Sequence, residues 1–255
     1  MSSGAFADMI PALALPADTR VERRVPKKLL LEQGAPTASD KRQIQDGIED
    51  LLWVAALKPN NIGVPAFRDS VREYLEIAVL TTALRDNAKS TRLTELIHRA
   101  IPYPVILVSV QANSQSLSLS HKRWSQGEAG AVVIEEVHRT APVRCDALSE
   151  CEAAFLASLA LSGLHARDLY TLYQGWLDRV TSLQAASITG RFTLPGAADS
   201  AAAQREALAA HARLHRDIAS LRARAAKETQ MNRRVELNLE IKRLEAELAA
   251  ATKAL

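Results

Sequence analysis

The sequence predicts an α+β fold: a mixed sheet with flanking helices, followed by a helical segment and a long C-terminal coiled-coil-like helix. Three observations predict it. Several β-prone runs of strand length surround helical patterns before residue 142. Beyond Pro142 the apolar residues recur at helical spacing. Near the C-terminus they recur at alternating intervals of four and three, which is typical of a coiled coil.

The composition is that of a folded chain without membrane spans. Its 255 residues are 47% apolar and 24% charged, which is enough for one sizeable core plus an appended helical module. The longest apolar runs, such as 104–110, are far shorter than the roughly 20 residues that cross a bilayer. The apolar patch at the N-terminus has no positive charge ahead of it, which argues against a secretory signal. We therefore expect a cytoplasmic protein.

Changes of composition along the chain predict four regions. Residues 1–20 are rich in Ala, Pro and Ser and are expected to be loosely ordered. An α/β sheet domain is expected at 21–142 and a helical segment packing on it at 143–195. A Pro195-Gly196 turn then introduces a C-terminal helical arm at 196–255.

The first elements of the sheet domain are predicted from proline positions and capping residues. Pro26 forbids a helix interior, so an extended segment followed by a short strand at Leu29–Leu31 is expected. Ser39 or Asp40 is suited to cap a helix that ends before Pro59. The apolar face of that helix is predicted to contain Ile44, Ile48, Leu51, Leu52 and Ala55.

The remaining elements follow from runs separated by turn signals. A core strand is predicted within 74–84 and a helix within 91–101. Three β-prone runs at 104–111, 116–124 and 131–140 are expected to form a meander. Two helices are then predicted, which end near Gly163 and Gly190.

The C-terminal arm contains two apolar seams that differ in phase. The first is formed by Leu214, Ile218, Leu221 and Ala225. The second is formed by Leu237, Ile241, Leu244, Leu248, Ala251 and Leu255. The seams are out of phase by two residues, so the arm is either one helix with a local change of supercoil or a helical hairpin. Because no Gly or Pro lies between Lys227 and Arg234, we favour one helix.

A polar run, KETQMNRR, precedes the second seam and is the least ordinary stretch of the arm. It is interpreted as a solvated helix face, a partner-docking or register site, or a phosphate-binding ridge. Asn232 occupies a seam position if the first seam is extended by seven, and Asn at such a position specifies register and partner. The predicted partner-binding residues are Asn232, Leu237, Ile241, Leu244 and Leu248.

Basic residues form candidate nucleic-acid contacts in three places. The net charge of the chain is +3. Residues 199–255 contain 11 basic and 8 acidic residues, so the surplus of basic residues in this region is as large as that of the whole chain. At the end of one predicted strand, a run of cationic side chains precedes Trp124 and could hold phosphate beside a stacked base, or could simply cover the sheet edge. The candidates are Lys27, Lys28, His121, Lys122, Arg123, Arg233 and Arg234.

A restriction-type nuclease is the alternative enzyme class. Its core requires an Asp and a Glu-x-Lys on neighbouring strands, because two carboxylates hold a divalent metal while the Lys activates water. Glu76 lies on a suitable strand, but the residue two positions further is Ala78 rather than Lys. The motif is therefore degenerate, and Glu73, Glu76 and Lys122 are the residues to test first.

Other catalytic and metal sites lack support in the sequence. Cys145 and Cys151 belong to no Cys-x-x-Cys pair, and His211 and His215 have a chelating spacing without further ligands nearby. There is no phosphate-binding glycine loop and no Gly-x-Ser-x-Gly. We expect no cofactor and no metal. Helical spacing favours Tyr170, Tyr173 and Trp176 as packing residues between the helical segment and the sheet domain, with a ligand-binding stripe as the alternative.

Two stretches of the chain resemble an uncharacterised bacterial family. KETQMNRRVELNLEIKRL resembles its C-terminal tail, and AIPYPVILVSV followed by SLSLSHKR resembles its central strands. The family is the domain of unknown function DUF4391, and the resemblance runs from about Val21 to the end. Its members are often encoded beside helicases and DNA methyltransferases in restriction or phage-defence loci. The resemblance thus implies helicase or methyltransferase subunits as partners, but no activity.

These observations together predict a non-enzymatic adaptor, which is an accessory subunit of a DNA-directed defence assembly. We expect its C-terminal helix to associate with itself or with a protein partner. Basic residues near Lys27, Lys122 and Arg233 would face DNA or an acidic partner. The alternative remains a metal-dependent nuclease with a degenerate motif.

Overall fold

A computed structural model describes residues 8–127, 130–144 and 146–255. The chain divides into two compact units, Met1–Val180 and Thr181–Leu255. The predicted α+β class is confirmed, because the described residues form a mixed six-stranded sheet with helices and a long C-terminal helical region. Cys145 and residues 1–7 of the predicted loosely ordered N-terminus lie outside the described residues.

The first unit contains short helices, all the described strands and the longer helix α5. In chain order the helices are α1 (Met9–Ala12), α2 (Lys27–Gln33), α3 (Ala38–Gly47), α4 (Pro59–Ile62), α5 (Ser90–Ala100) and α6 (Glu150–Ser158). The first strands are β1 (Arg20–Arg24), β2 (Ile48–Leu57), β3 (Phe67–Arg68), β4 (Glu73–Tyr74) and β5 (Ile77–Leu84). The later strands are β6 (Val105–Gln111), β7 (Ser114–Ser120), β8 (Lys122–Trp124), β9 (Val132–Ile134) and β10 (His138–Arg139). Helix α7 (Leu169–Thr189) continues from this unit into the second.

The main sheet has the order β1-β2-β5-β6-β7-β10. Strands β5 and β6 are parallel and every other neighbouring pair is antiparallel. A parallel pair needs a crossover, and α5 supplies it. Two small antiparallel sheets, β3-β4 and β8-β9, lie outside this order and form much of the candidate site.

The core of the first unit lies between α5 and the sheet. Helix α5 turns Leu93, Leu96 and Ile97 inward at intervals of three and one, and all three are fully buried. They pack with sheet residues such as Leu80 and Leu107. Each such side chain stabilises the fold by about 1.5–3 kcal/mol relative to exposure.

The predicted helix at 40–58 is wrong in its second half. Helix α3 ends at Gly47, and Ile48–Leu57 forms β2. The apolar residues of 48–57 fit a helix period, but the segment pairs with β1 on one side and β5 on the other. Backbone pairing on both edges, although interrupted by register shifts, overrides the weak local preference for a helix.

The predicted strand at Leu29–Leu31 is also wrong, because these residues belong to α2. Pro26 is the N-cap of that helix. Proline is excluded from helix interiors but is well tolerated where a helix begins, since the first amides lack intrahelical partners anyway.

Most of the other predicted elements are confirmed. The core strand is β5, the following helix is α5, and β6, β7 and β10 are antiparallel neighbours in the order expected for a meander. Each of the last two runs is longer than one strand, however, and contributes a second strand to the separate β8-β9 pair. In the N-terminal segment, residues 9–12 form α1, and Met9 and Leu13 are fully buried.

The second unit contains the end of α7 and a hairpin of two long helices, α8 (Ala198–Lys227) and α9 (Met231–Lys253). Ser182 of α7 donates a hydrogen bond to Gln204 of α8 at 3.2 Å. Helices α8 and α9 bury Ile218, Leu221 and Ile241 against each other. An ion pair between Arg222 and Glu245, 2.6 Å long, joins the same two helices.

The expectation of one continuous helix is therefore wrong. Residues 228–230 leave the helical conformation, with Glu228 at φ −76° and ψ 125° and Gln230 at φ −81° and ψ 119°. Any residue adopts this extended backbone, so the reversal requires neither Gly nor Pro. The Glu228 carboxylate accepts a hydrogen bond from the Gln230 amide at 2.8 Å. Reversal also resolves the phase difference, because each seam now faces the other.

Candidate functional site

One wall of the candidate site is built by the β3-β4 hairpin. Asp69 closes its loop, since its carboxylate accepts hydrogen bonds from the amides of Val71 and Arg72, each at 2.7 Å. The amide of Trp124 in β8 donates to the Val71 carbonyl at 2.8 Å. This bond fixes the hairpin loop against β8.

A buried polar chain anchors the same hairpin to α7. The Tyr74 hydroxyl lies 2.5 Å from Nδ1 of His121, and Nε2 of His121 lies 2.8 Å from the Gln174 side-chain oxygen. Gln174 in turn donates to Asp178 at 2.7 Å. The Gln174 side-chain oxygen can only accept, so His121 donates a hydrogen bond through Nε2. Its Nδ1 then accepts a hydrogen bond from the Tyr74 hydroxyl. Burial raises the pKa of the Tyr74 hydroxyl, which keeps this donor protonated.

These elements enclose a cleft of about 170 Å³ beside β8. Its walls are largely apolar, and two of the apolar side chains stay unusually open to solvent: Leu75 is 56% exposed and Tyr103 is 43% exposed. The lining residues are Arg72, Glu73, Leu75, Glu76, Pro102, Tyr103, Pro104, Lys122, Arg123, Trp124 and Val132. We call this site the Trp124 cleft.

Lys122 is buried at the edge of this cleft and stabilises the end of α5. Its ammonium donates a hydrogen bond to the His98 carbonyl. In an unbroken helix that carbonyl would accept from the amide of residue 102, but Pro102 has no amide hydrogen. Lys122 replaces the missing donor at the C-terminal end of α5. Burial lowers the pKa of Lys122 to about 7.

Residues 121–123 are predicted as nucleic-acid contacts or as cover for the sheet edge, and two of the three are not exposed. His121 and Lys122 are buried, and each is engaged by hydrogen bonds inside the unit. The second half of β7 is buried on both faces, and this burial continues through His121 and Lys122, which a linear reading of the run does not reveal. Arg123 is half-buried, lines the cleft and has no acidic partner in the described part of the chain.

Glu73, Glu76 and Lys122 all line the Trp124 cleft, so the fold brings together the residues singled out for the nuclease alternative. Each carboxylate nevertheless has its own cation: Arg68 lies 2.8 Å from Glu73, and Lys58 lies 3.0 Å from Glu76. No group of three His, Cys, Asp or Glu side chains among residues 8–127, 130–144 and 146–255 is arranged to hold a metal ion.

The remaining predicted nucleic-acid residues lie elsewhere. Lys27 and Lys28 are in α2, where Lys27 donates to the Gln45 carbonyl at 3.3 Å and Lys28 pairs with Glu32 at 3.7 Å. Arg233 and Arg234 are exposed in the first turn of α9, in the second unit. Their proposed role in binding nucleic acid stays a prediction.

The predicted partner-binding seam packs within the chain. Ile241 is 7% exposed and contacts Ile218, Leu221 and Ala225 of α8, while Leu237, Leu244 and Leu248 pack around it and remain partly open. Asn232 is exposed, and the register argument for it fails because the first seam ends at the turn before α9. The seam is thus already covered in part by α8.

A second apolar face of α9 is left exposed by the residues that the structure describes. Met231, Val235 and Leu239 are spaced by four and are 63%, 50% and 63% exposed. At 100° per residue they form one stripe, which points away from the seam around Ile241. We call these three residues the outer stripe.

The sequence contains patterns at the outer stripe and at Tyr103, but these patterns do not by themselves indicate a site. The outer stripe has a helical spacing, but its three residues are interleaved with the stronger seam. Tyr103 stands between two prolines, a rigid setting for an aromatic side chain, yet only the fold places it opposite β8. Tyr173 and Trp176 are buried packing residues as predicted, and the Tyr173 hydroxyl donates to the Val105 carbonyl at 2.7 Å.

Comparisons with known proteins identify a family but no function. No curated protein and no solved structure matches the chain. None of the described helices combines the length and apolar character needed to span a bilayer. The model of a family described as a domain of unknown function matches residues 13–248, which confirms the resemblance seen in the central strands and the C-terminal tail. The chain belongs to the DUF4391 family.

Proposed function

We propose that this protein is a non-enzymatic accessory subunit that docks onto a protein partner through the α8-α9 hairpin, within a DNA-directed defence assembly. The observation that carries the proposal is the outer stripe. Its three large apolar side chains are each at least half exposed along one helix face. Their exposure to water is unfavourable, and such faces mark interaction surfaces.

The charges around the outer stripe favour an acidic partner. Arg224 and Lys227 end α8, and Arg233 and Arg234 begin α9, so four cations meet at the tip of the hairpin. Glu228 and Glu236 are the acids of the same stretch. An acidic amphipathic helix would cover the apolar stripe and pair with these cations, which is the helix-in-groove mode of recognition.

The test uses the helicase and methyltransferase subunits that family context implies as partners. Each is co-expressed with the tagged native chain, and co-elution is compared with that of a variant carrying Met231→Gln, Val235→Gln and Leu239→Gln. We expect the native chain to retain one of these subunits and the variant to lose it by tenfold or more, because interface anchors of this size contribute about 1–2 kcal/mol each or more. Glutamine keeps the helix propensity high.

The matched control is Arg243→Gln with Glu247→Gln, a pair on α9 whose ion pair is 3.9 Å long and whose removal leaves the charge balance unchanged. It should bind like the native chain. The proposal is wrong if neither subunit co-elutes with the native chain. It is equally wrong if light scattering shows that the outer stripe only joins two copies of this chain.

A metal-dependent nuclease is the second candidate, favoured by the convergence of Glu73, Glu76 and Lys122 on one cleft. A divalent ion would have to displace Arg68 and Lys58 from the two carboxylates. If this candidate is correct, the native chain cleaves DNA in the presence of Mg²⁺ or Mn²⁺ and Glu76→Gln abolishes cleavage, while Glu49→Gln, which alters an exposed acid of β2, has no effect. Equal cleavage by the native and Glu76→Gln chains would point to a contaminating nuclease.

A further inference from the structure

We infer that the Trp124 cleft binds single-stranded nucleic acid, with one base against its aromatic wall and an adjacent phosphate on Arg123. The choice of nucleic acid as the ligand rests on the proposed function, whereas the location of the site does not. The hairpin and the cleft are separate sites, so each can fail without the other.

The charges of the cleft select an anionic ligand. Glu73 pairs with Arg68, Glu76 pairs with Lys58, and Arg72 pairs with Glu135 at 3.1 Å. Among the described residues, the cleft cation left without an acidic partner is Arg123, apart from the buried Lys122. A guanidinium at the rim of an apolar cleft is suited to a phosphate, which it binds with two parallel hydrogen bonds.

The walls select a flat apolar group. Tyr103 and Trp124 line the cleft together with Pro102 and Pro104, which restrict the backbone around Tyr103. Tyr103 and Leu75 remain exposed instead of collapsing onto the core. The volume of about 170 Å³ admits one ring system, since a cavity of about 150 Å³ in another protein holds benzene.

Single strands fit this combination better than duplex DNA does. Only an unpaired base presents its face to an aromatic side chain, and such stacking is tolerant of sequence. Lys122 is excluded as the phosphate ligand, because it is buried and already donates a hydrogen bond to the His98 carbonyl. Arg123 and Trp124 are thus the residues of the predicted contact that line the cleft, and Tyr103 is a further residue of the site.

The experiment measures the anisotropy of a fluorescent oligodeoxythymidine at low and at physiological salt. We expect Arg123→Gln and Tyr103→Ala each to weaken affinity about tenfold, and Arg123→Gln to reduce the salt dependence by about one phosphate contact. The oligonucleotide should also quench the indole emission of the native chain, and Trp124→Phe should lose that quenching while keeping an aromatic wall.

Arg42→Gln is the matched control, since Arg42 is an exposed arginine of α3. It should bind like the native chain. The outer-stripe variant should also bind normally, so failure of partner docking leaves this assay intact. No binding at low salt, preference for duplex over single strand, or equal affinity of the Arg123→Gln and Arg42→Gln chains would each overturn the inference.

Discussion

Ile241→Asp is expected to open the α8-α9 hairpin. Ile241 is the residue of α9 that is buried, and it inserts between Ile218, Leu221 and Ala225. The substitution removes that packing and places a carboxylate among the apolar side chains of the seam. We expect the hairpin to lose about 3–5 kcal/mol, from the lost side-chain burial and the cost of burying a charge. Amide hydrogen exchange of 231–253 should therefore rise sharply, while β5 and β6 stay protected.

Leu239→Asp is the control for this experiment, because it introduces the same charge into the same helix at a site that is 63% exposed. Its effect on exchange should be small. Equal protection of α9 in the Ile241→Asp and native chains would show that the seam does not hold the hairpin together. The two variants also separate stability from docking, since Leu239→Asp is expected to weaken partner association without unfolding α9.

Lys122→Met is expected to change the pH dependence of stability. The pKa of Lys122 is about 7 in the folded chain and 10.5 when the side chain is free in solution. Between these values the unfolded chain holds a proton that the folded chain has released, so the free energy of unfolding rises with pH. The slope for one proton approaches about 1.4 kcal/mol per pH unit.

Urea unfolding between pH 7 and 9.5 measures this slope. We expect Lys122→Met to remove it, and at pH 9.5 to be less stable than the native chain by about 1–3 kcal/mol, because the His98 carbonyl then lacks a donor. Lys41→Met, at an exposed position of α3, should keep the native slope.

The chosen pH range avoids the neighbouring groups. Burial and the charge of Lys122 lower the pKa of His98, which affects stability only below its ordinary value of 6.5. Burial raises the pKa of Tyr74 and Tyr173, which reduces stability only above pH 10. The account of Lys122 fails if the native and Lys122→Met chains show parallel curves across pH 7 to 9.5.

Prediction succeeded where pattern and packing agree. The run that forms β6 is of strand length and apolar except at Ser109 and Gln111, and the helix that forms α5 turns one strong apolar face inward. It failed at Ile48–Leu57, where the apolar spacing suits a helix and a strand alike. The candidate cleft is predictable only in part. The sequence shows Arg123 and Trp124 as a cation beside an aromatic group. Leu75 and Tyr103 come from distant segments, so only the fold shows that they line the same cleft.

The α+β class, the buried core of α5 and the two apolar seams are readable from the sequence alone, because they depend on local periodicity and composition, and the family follows from its motifs. The availability of the polar groups depends on tertiary contacts instead. Lys122 turns inward because Pro102 leaves a carbonyl of α5 without a donor, and the seam around Ile241 is covered because the chain reverses at 228–230. Both outcomes depend on contacts between residues far apart in the chain, which spacing along one segment does not specify.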